Sequence, residues 1–246
     1  MFIEIGGRKI HYQQSGRGKP ILLVHGWGGS INSLNALRQL LAQKYQTTSL
    51  DLPGFGQSDP PHSSWGVTQY GELLANFIKH LELTKITFFG HSFGGSLGIF
   101  LAVNYPELIN KLILCASSFK RENKTSVATK TIKKFGQSIP ILNQLEQPLK
   151  KIYYRIFFPD SDLVKFPHLE SNFKKIMSED LTSYLVKIRQ STLILWGSTD
   201  HYIPVKQAYE LKQKITNSRL VLFENIGHNL PLKYPKLIYQ EIEKFI

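Results

Sequence analysis

The sequence predicts an α/β fold with one mostly parallel central sheet, helices on both faces of the sheet and a helical insertion. Along most of the 246-residue chain, apolar runs of strand length alternate with helical patterns of apolar residues. Such alternation is typical of parallel strands joined by helices. Between 118 and 189 the alternation stops, and a helical pattern is interrupted by four prolines. We therefore predict a core formed by 1–117 and 190–246 and a helical cap formed by 118–189.

The first part of the chain predicts a hairpin, two strands and two helices. Apolar residues that alternate around a Gly-Gly turn predict the hairpin, and a continuous apolar run predicts a strand that is buried on both faces. The predicted ranges are 2–5 and 9–14 for the hairpin, 20–25 and 47–50 for the strands, and 33–44 and 68–82 for the helices. Thr68 is the predicted N-cap of the second helix. The Gly- and Pro-rich stretch 51–61 predicts a surface loop near the site.

The central motif is Gly90-His91-Ser92-Phe93-Gly94, where an apolar strand pattern turns abruptly into a helical one. A serine on such a tight turn requires residues without side chains two positions before and two positions after it. The turn places the Phe93 backbone N–H and the positive end of the following helix beside the serine oxygen, where negative charge develops when a carbonyl is attacked. The motif therefore predicts Ser92 as a nucleophile.

The remaining core elements follow the same alternation. We predict strands at 111–116, 192–196 and 220–223 and helices at 205–215 and 234–246. Cys115 lies in an apolar run and is the single cysteine of the chain, so it is predicted as a buried core residue. The sequence contains no metal-ligand set and no redox pair, and we predict no cofactor.

A nucleophilic serine needs a base, and the base needs an acceptor that holds its tautomer. Asp200 and His228 each follow a predicted strand, and the carboxyl ends of parallel strands meet at one edge of a sheet. Asp200 could instead be an ordinary surface-loop aspartate, but no acidic residue follows the preceding strand. The chain order serine, acid, histidine is the one expected for this kind of turn. We predict Ser92, Asp200 and His228 as the catalytic residues.

The segment His25-Gly26-Trp27-Gly28-Gly29 follows another buried strand. Its glycines allow the backbone to approach a substrate, so the Trp27 N–H is a second candidate oxyanion donor beside that of Phe93. Gly26 and the Trp27 side chain are the predicted substrate-binding residues. For His25 and His91 we predict structural roles beneath the two loops.

These motifs together resemble the α/β-hydrolase superfamily. The likeness covers 1–117 and 190–246 and includes His-Gly-Trp-Gly-Gly, Asp-Leu-Pro-Gly-Phe-Gly-x-Ser-Asp, Gly-His-Ser-Phe-Gly-Gly, Gly-x-x-Asp-x-x-x-Pro and Gly-His. The resemblance implies the α/β-hydrolase fold, Ser92 as nucleophile, Asp200 and His228 as its relay, and Trp27 and Phe93 as oxyanion donors. It also implies a carboxylic-ester hydrolase for small or medium acyl substrates. Because the nucleophile is serine, branches that use a carboxylate are disfavoured; carbon–carbon bond hydrolysis or a lyase step, and a non-catalytic ligand receptor, remain alternatives.

The net charge of +12 is concentrated in the first half of the predicted cap. There the stretch Lys150–Pro159 combines basic and aromatic residues, as a cap helix with solvated lysines would. The alternative is a surface for an acidic carrier protein, an anionic acyl substrate or an anionic membrane. The glycine-rich motifs are also similar to methyl esterases that act on a carrier protein. No nucleic-acid-binding module accompanies the charge, and the N-terminal sequence lacks the long apolar run of a signal peptide, so we predict a cytoplasmic protein.

Overall fold

The computed structural model describes residues 1–120 and 166–246, and the strands within these ranges form one sheet. The strands are β1 Phe2–Ile5, β2 Arg8–Ser15, β3 Pro20–Val24, β4 Gln46–Leu50, β5 Ile86–His91, β6 Ile109–Cys115, β7 Ser191–Gly197 and β8 Ser218–Phe223. Their order across the sheet is β1-β2-β4-β3-β5-β6-β7-β8. The pairs β1–β2 and β2–β4 are antiparallel, whereas the pairs from β4 to β8 are parallel. The predicted fold class is therefore confirmed.

Helices cover both faces of this sheet. In the described ranges they are α1 Asn35–Leu41, α2 Val67–His80, α3 Phe93–Asn104, α4 Glu170–Ser178, α5 Thr182–Leu185, α6 Lys206–Lys214, α7 Leu230–Lys233 and α8 Pro235–Phe245, with 3-10 turns at Ile31–Leu34 and Pro167–Leu169. Successive strand residues point to opposite faces, so β5 sends Phe88 into one buried cluster and Phe89 into the other. The Phe88 cluster includes residues of α2, α3 and α6, and the Phe89 cluster includes residues of α1 and α8. This two-sided burial explains the continuous apolar runs.

The first predicted helix is shorter in the structure than in the sequence pattern. The prediction was 33–44, but α1 ends at Leu41 and is preceded by a 3-10 turn. The N–H groups of Lys44 and Tyr45 both donate to the Leu41 carbonyl, which closes the helix with a turn. The chain must turn here because Gln46 already pairs with β3. The periodicity of apolar residues cannot indicate where this helix ends, because the end is set by pairing with β3.

The predicted N-cap of α2 is wrong. Gly66, not Thr68, occupies the cap position, and its N–H donates to the Gln69 side chain over 2.8 Å. The next N–H, that of Val67, donates to Glu179 Oε2 over 2.7 Å. A carboxylate from a distant part of the chain therefore satisfies the helix N-terminus, and no local pattern could have indicated it.

The predicted insertion is described only in part. Residues 121–165 lie outside the described residues, and with them most of the predicted cap and the whole Lys150–Pro159 stretch. The part from 166 to 189 contains α4, α5 and a 3-10 turn, and its residues Leu169 and Leu185 are buried in the core; that the whole insertion forms a helical cap stays a prediction. Within the described ranges, no helix combines the length and the apolar character that crossing a bilayer requires.

Candidate active site

Ser92 lies at the sharp turn between β5 and α3. Its backbone has φ 52° and ψ −115°, a conformation that residues with a side chain rarely adopt. A Cβ on Gly90 would lie 2.3 Å from the Gly94 carbonyl oxygen, and a Cβ on Gly94 would lie 2.3 Å from the Val24 carbonyl oxygen. Any side chain at either glycine would therefore push the turn apart. This steric limit is the physical reason for the Gly-x-Ser-x-Gly spacing.

His228 and Asp200 form a hydrogen-bonded pair at the same edge of the sheet. His228 Nδ1 lies 2.8 Å from Asp200 Oδ2, and the aspartate side chain is fully buried. Asp200 Oδ1 accepts the backbone N–H groups of Tyr202 and Ile203, both over 2.9 Å. Since an ionised carboxylate can only accept, we assign the imidazole proton to Nδ1, which leaves Nε2 as the acceptor. The aspartate thus fixes both the position and the tautomer of the imidazole.

Ser92 and His228 line one cavity of about 580 Å³. Among the described residues, no hydrogen bond of 3.5 Å or less joins Ser92 Oγ to the His228 ring. Catalytic hydrogen bonds of this type are often long before a substrate binds. The shared cavity, rather than a bonded contact, therefore connects the serine to the histidine–aspartate pair.

The loop after β3 packs directly against the nucleophile and is fastened by His25. A Cβ on Gly26 would lie 3.0 Å from Ser92 Cβ. The Leu52 N–H donates to His25 Nε2 over 3.0 Å, so His25 Nδ1 carries the proton and donates to the Gly26 carbonyl over 2.7 Å. Burial lowers the pKa of His25, which keeps the ring neutral in this arrangement. The structural role predicted for His25 agrees with these contacts.

The two backbone donors predicted for the oxyanion are Trp27 and Phe93, and both residues line the cavity. Phe93 is the first residue of α3, a position at which the backbone N–H has no intrahelical acceptor. Within the described part of the chain, neither the Trp27 N–H nor the Phe93 N–H donates a backbone hydrogen bond. Both groups are therefore available to a developing negative charge beside Ser92.

Aromatic side chains form part of the wall of the cavity that contains Ser92. The Trp27 ring packs against Phe93 and against Phe173 of α4, with centroid distances of 6.0 and 5.2 Å. Lys120 also lines the cavity, but its Nζ lies 2.6 Å from Glu210 Oε2, so its charge is balanced. The sequence reasoning did not identify Phe173 or Lys120, because neither belongs to a motif. Their place in the site depends on how the insertion folds over the sheet.

Tyr202 was also missed, although it lies two residues after the predicted Asp200. Its ring centroid is 5.3 Å from that of His228, and 65% of the residue is exposed. Proximity in sequence to a predicted catalytic acid was a usable signal in this case. Ser92, Asp200, His228, Trp27, Phe93 and Gly26 are all brought to the carboxyl edge of the parallel strands, where they were expected; their chemical roles remain predictions.

Comparison with known proteins identifies relatives of this chain, both by sequence family and by fold. A family model described as the alpha/beta hydrolase fold matches residues 19–145 and 155–234. The uncharacterized hydrolase YugF of Bacillus subtilis (strain 168) is 27% identical over 255 residues, which cover 96% of this chain and 92% of that protein. A 2-hydroxy-6-oxononadienedioate/2-hydroxy-6-oxononatrienedioate hydrolase of Escherichia coli O139:H28 is 28% identical over 238 residues, covering 85% of this chain and 81% of that protein. The solved esterase EaEST from Exiguobacterium antarcticum superposes with a TM-score of 0.77 at 25% identity, covering 99% of this chain and 98% of that one.

Proposed function

Because the chain belongs to the alpha/beta hydrolase fold family, we propose that it is a serine hydrolase that cleaves carboxylic esters of small or medium acyl groups through an acyl-enzyme on Ser92. The observation that carries this proposal is the His228–Asp200 pair, bonded over 2.8 Å, whose histidine lines the cavity that also contains Ser92. A serine, an imidazole and a buried carboxylate in this order and place form the relay that acyl transfer requires.

In the proposed mechanism, each group has one task. Ser92 Oγ attacks the ester carbonyl carbon while His228 Nε2 accepts the hydroxyl proton, and Asp200 stabilises the resulting imidazolium. The N–H groups of Trp27 and Phe93 donate to the oxygen that becomes negative. When the C–O bond breaks, His228 gives the proton to the leaving alcohol. Water then attacks the acyl-enzyme with the same base, which releases the acid and regenerates Ser92.

The aromatic part of the cavity wall supports an apolar acyl group. Its volume of about 580 Å³ lies within the usual range for small-molecule sites. Trp27, Phe93 and Phe173 provide aromatic surface, and Lys120 is paired with Glu210 instead of being available to an anionic substrate. In the described part of the cavity, an uncharged ester therefore fits better than a substrate with an additional carboxylate.

The second candidate is carbon–carbon bond hydrolysis. The observation that favours it is the similarity to the E. coli dienedioate hydrolase over 85% of this chain. The same serine, histidine and aspartate could serve that reaction, so the catalytic residues do not distinguish the two candidates. A dienedioate carries two carboxylates, and the pairing of Lys120 with Glu210 gives the described wall no uncompensated lysine to receive them.

The test is an activity panel with parallel labelling. We would measure kcat/KM for p-nitrophenyl esters from two to twelve acyl carbons and for a 2-hydroxy-6-oxo-dienedioate, and label the protein with a fluorophosphonate probe. Ser92→Ala is expected to abolish labelling and to lower kcat/KM for the best ester by about 10³-fold or more. Ser96→Ala, one helical turn further along α3, serves as the matched control and keeps the covalent label. Ester hydrolysis by Ser92→Ala within a few-fold of the parent would contradict the proposal.

The panel also separates the alternatives. A kcat/KM for the dienedioate above that for every ester would favour the carbon–carbon hydrolase. Labelling at Ser92 without turnover of any substrate in the panel would favour the ligand receptor.

A further inference from the structure

His91 is the last residue of β5 and directly precedes Ser92, yet its side chain contacts the residue proposed as the base. Its Nε2 lies 3.0 Å from the backbone carbonyl oxygen of His228. A carbonyl oxygen can only accept, so we assign the proton of the His91 ring to Nε2, which donates. The two imidazole rings pack against each other with centroids 5.0 Å apart and planes tilted by 42°. His91 is 5% exposed, and it also lines the cavity beside His228.

The loop that carries His228 has few other restraints at this residue. His228 follows β8 and precedes α7, outside both elements. Its side chain is held at Nδ1 by Asp200, and its main chain is held at the carbonyl by His91. The first bond orients the ring, and the second fixes the backbone from which the ring extends. Both are needed to define where Nε2 lies relative to Ser92 Oγ.

We propose that His91 is a positioning residue that holds the His228 backbone so that the imidazole meets the Ser92 hydroxyl in the geometry for proton transfer. The proposal rests on the proposed function, because it assumes that Ser92 is the nucleophile and His228 its base. His91 does not touch the reacting atoms in this scheme. It acts through the main chain of His228, and its effect is on the chemical step and not on substrate binding.

The electrostatics of the site suit this role. Burial lowers the pKa of His91 to about 3, so the ring keeps a single proton at neutral pH. A charged ring at this position would oppose the imidazolium that forms on His228 during the reaction. A neutral histidine supplies a donor of the right reach without adding a charge. A lysine or arginine would donate as well, but it would bring the charge with it.

Three variants at position 91 separate donation from packing. His91→Gln retains an amide N–H at about the reach of Nε2, His91→Asn retains an amide that is one methylene too short, and His91→Phe fills the volume without a donor. Gln190→Leu is the matched control, since the Gln190 side chain is also buried and donates to a main-chain carbonyl, that of Ala102, over 3.0 Å. Ala102 lies far along α3 from Ser92, so this control removes the same kind of bond away from the site.

The expected result is a loss in kcat that does not appear in KM. His91→Phe and His91→Asn should lower kcat for the best p-nitrophenyl ester by about 10- to 100-fold, as small displacements of catalytic groups do. KM should change less than about 2-fold, because the aromatic wall formed by Trp27, Phe93 and Phe173 is unchanged and His91→Phe keeps a ring of similar volume where His91 lines the cavity. The rate of fluorophosphonate labelling should fall with kcat, and His91→Gln should recover most of both rates. Gln190→Leu should lower the melting temperature and keep kcat within about 2-fold of the parent.

Several outcomes would overturn the proposal. It is wrong if folded His91→Phe retains kcat within 2-fold of the parent, or if Gln190→Leu lowers kcat as much as His91→Phe does. If His91→Phe fails to fold, the comparison between Gln and Asn decides: equal kcat values for these two variants contradict a role for the donor. Absence of labelling in the parent protein would instead show that the proposed function itself is wrong, so the two failures are distinguishable.

Discussion

Two histidine–aspartate pairs in the molecule share their geometry and differ in their surroundings. His228 and Asp200 are joined through Nδ1 and Oδ2 over 2.8 Å, and His11 and Asp51 are joined through the same atoms over the same distance. The aspartate side chains are almost completely buried, with 0% and 3% exposed. Each aspartate follows a parallel strand, β7 for Asp200 and β4 for Asp51. The geometry of the bonded pair alone therefore cannot identify the catalytic histidine.

The difference lies in what each aspartate binds besides its histidine. Asp51 holds several segments together: Oδ1 accepts the Ile31 N–H over 2.7 Å, and Oδ2 accepts the Gln57 N–H over 3.0 Å. Asp200 instead binds the N–H groups of its own loop through Oδ1 and leaves Oδ2 to the histidine. The His228 ring lines the cavity with Ser92, whereas His11 does not line it. We infer that Asp51 holds the chain around Ile31 and the loop around Gln57 in place, and that Asp200 orients His228, the proposed base.

Asp200→Asn should produce the largest effect on activity. An amide at this position can present its N–H to His228 and select the wrong imidazole tautomer, so kcat for the best ester should fall by about 10⁴-fold. The melting temperature should change little by comparison, because the amide oxygen can still accept from the Tyr202 and Ile203 N–H groups. Steady-state kinetics and thermal unfolding measure the two quantities. A fall in kcat of less than 10-fold would contradict the assignment of Asp200.

Asp51→Asn should lower the stability of the protein and leave kcat nearly unchanged, the reverse of Asp200→Asn. Replacement of the carboxylate weakens its bonds to Ile31, Gln57 and His11, and hydrogen bonds to charged groups contribute about 1.5–3 kcal/mol each. We expect the free energy of unfolding to fall by about 2–4 kcal/mol in urea titrations. For the folded protein, kcat should remain within about 3-fold of the parent. A loss of kcat comparable to that of Asp200→Asn would mean that the two pairs do not differ in function as we infer.

The comparison also shows why the sequence allowed the site to be predicted in part. Ser92, Asp200 and His228 each follow a strand at a position where a glycine lies nearby, and the meeting of parallel strand ends at one edge is a general rule. The order of the elements and the two-sided burial of β5 follow from apolar periodicity. Local patterns were sufficient wherever the constraint itself was local, as for Gly90 and Gly94 around the turn.

The features that could not be predicted depend on contacts between distant segments. The N-terminus of α2 is satisfied by Glu179, more than one hundred residues away, so Thr68 was taken for the cap in error. The second pair, His11 with Asp51, joins an antiparallel strand to a loop and has no motif. The bond from His91 to the His228 carbonyl spans 137 positions, so nothing in the sequence distinguishes it from simple packing.

The smallest effects are expected from the aromatic neighbours of the two histidines. Tyr202 lies against His228 with centroids 5.3 Å apart, and Phe2 lies against His11 with centroids 5.1 Å apart; both pairs are tilted by 43°. Contacts of this type contribute about 0.5–1.5 kcal/mol, and both aromatic residues are largely exposed, which places them at the lower end. The equal geometry makes Tyr202→Ala and Phe2→Ala a matched pair of variants.

If only the His228 pair is catalytic, the two truncations should affect different quantities. Phe2→Ala should lower the free energy of unfolding by about 0.5 kcal/mol and leave kcat unchanged. Tyr202→Ala should lower kcat by about 2- to 5-fold, because the imidazole loses a contact that limits its motion and faces more water, while the Tyr202 main-chain bond to Asp200 remains. Urea unfolding and ester kinetics on both variants measure these changes. Equal kcat values for Tyr202→Ala and Phe2→Ala would show that the aromatic contact at the active site is packing alone, as it is at His11.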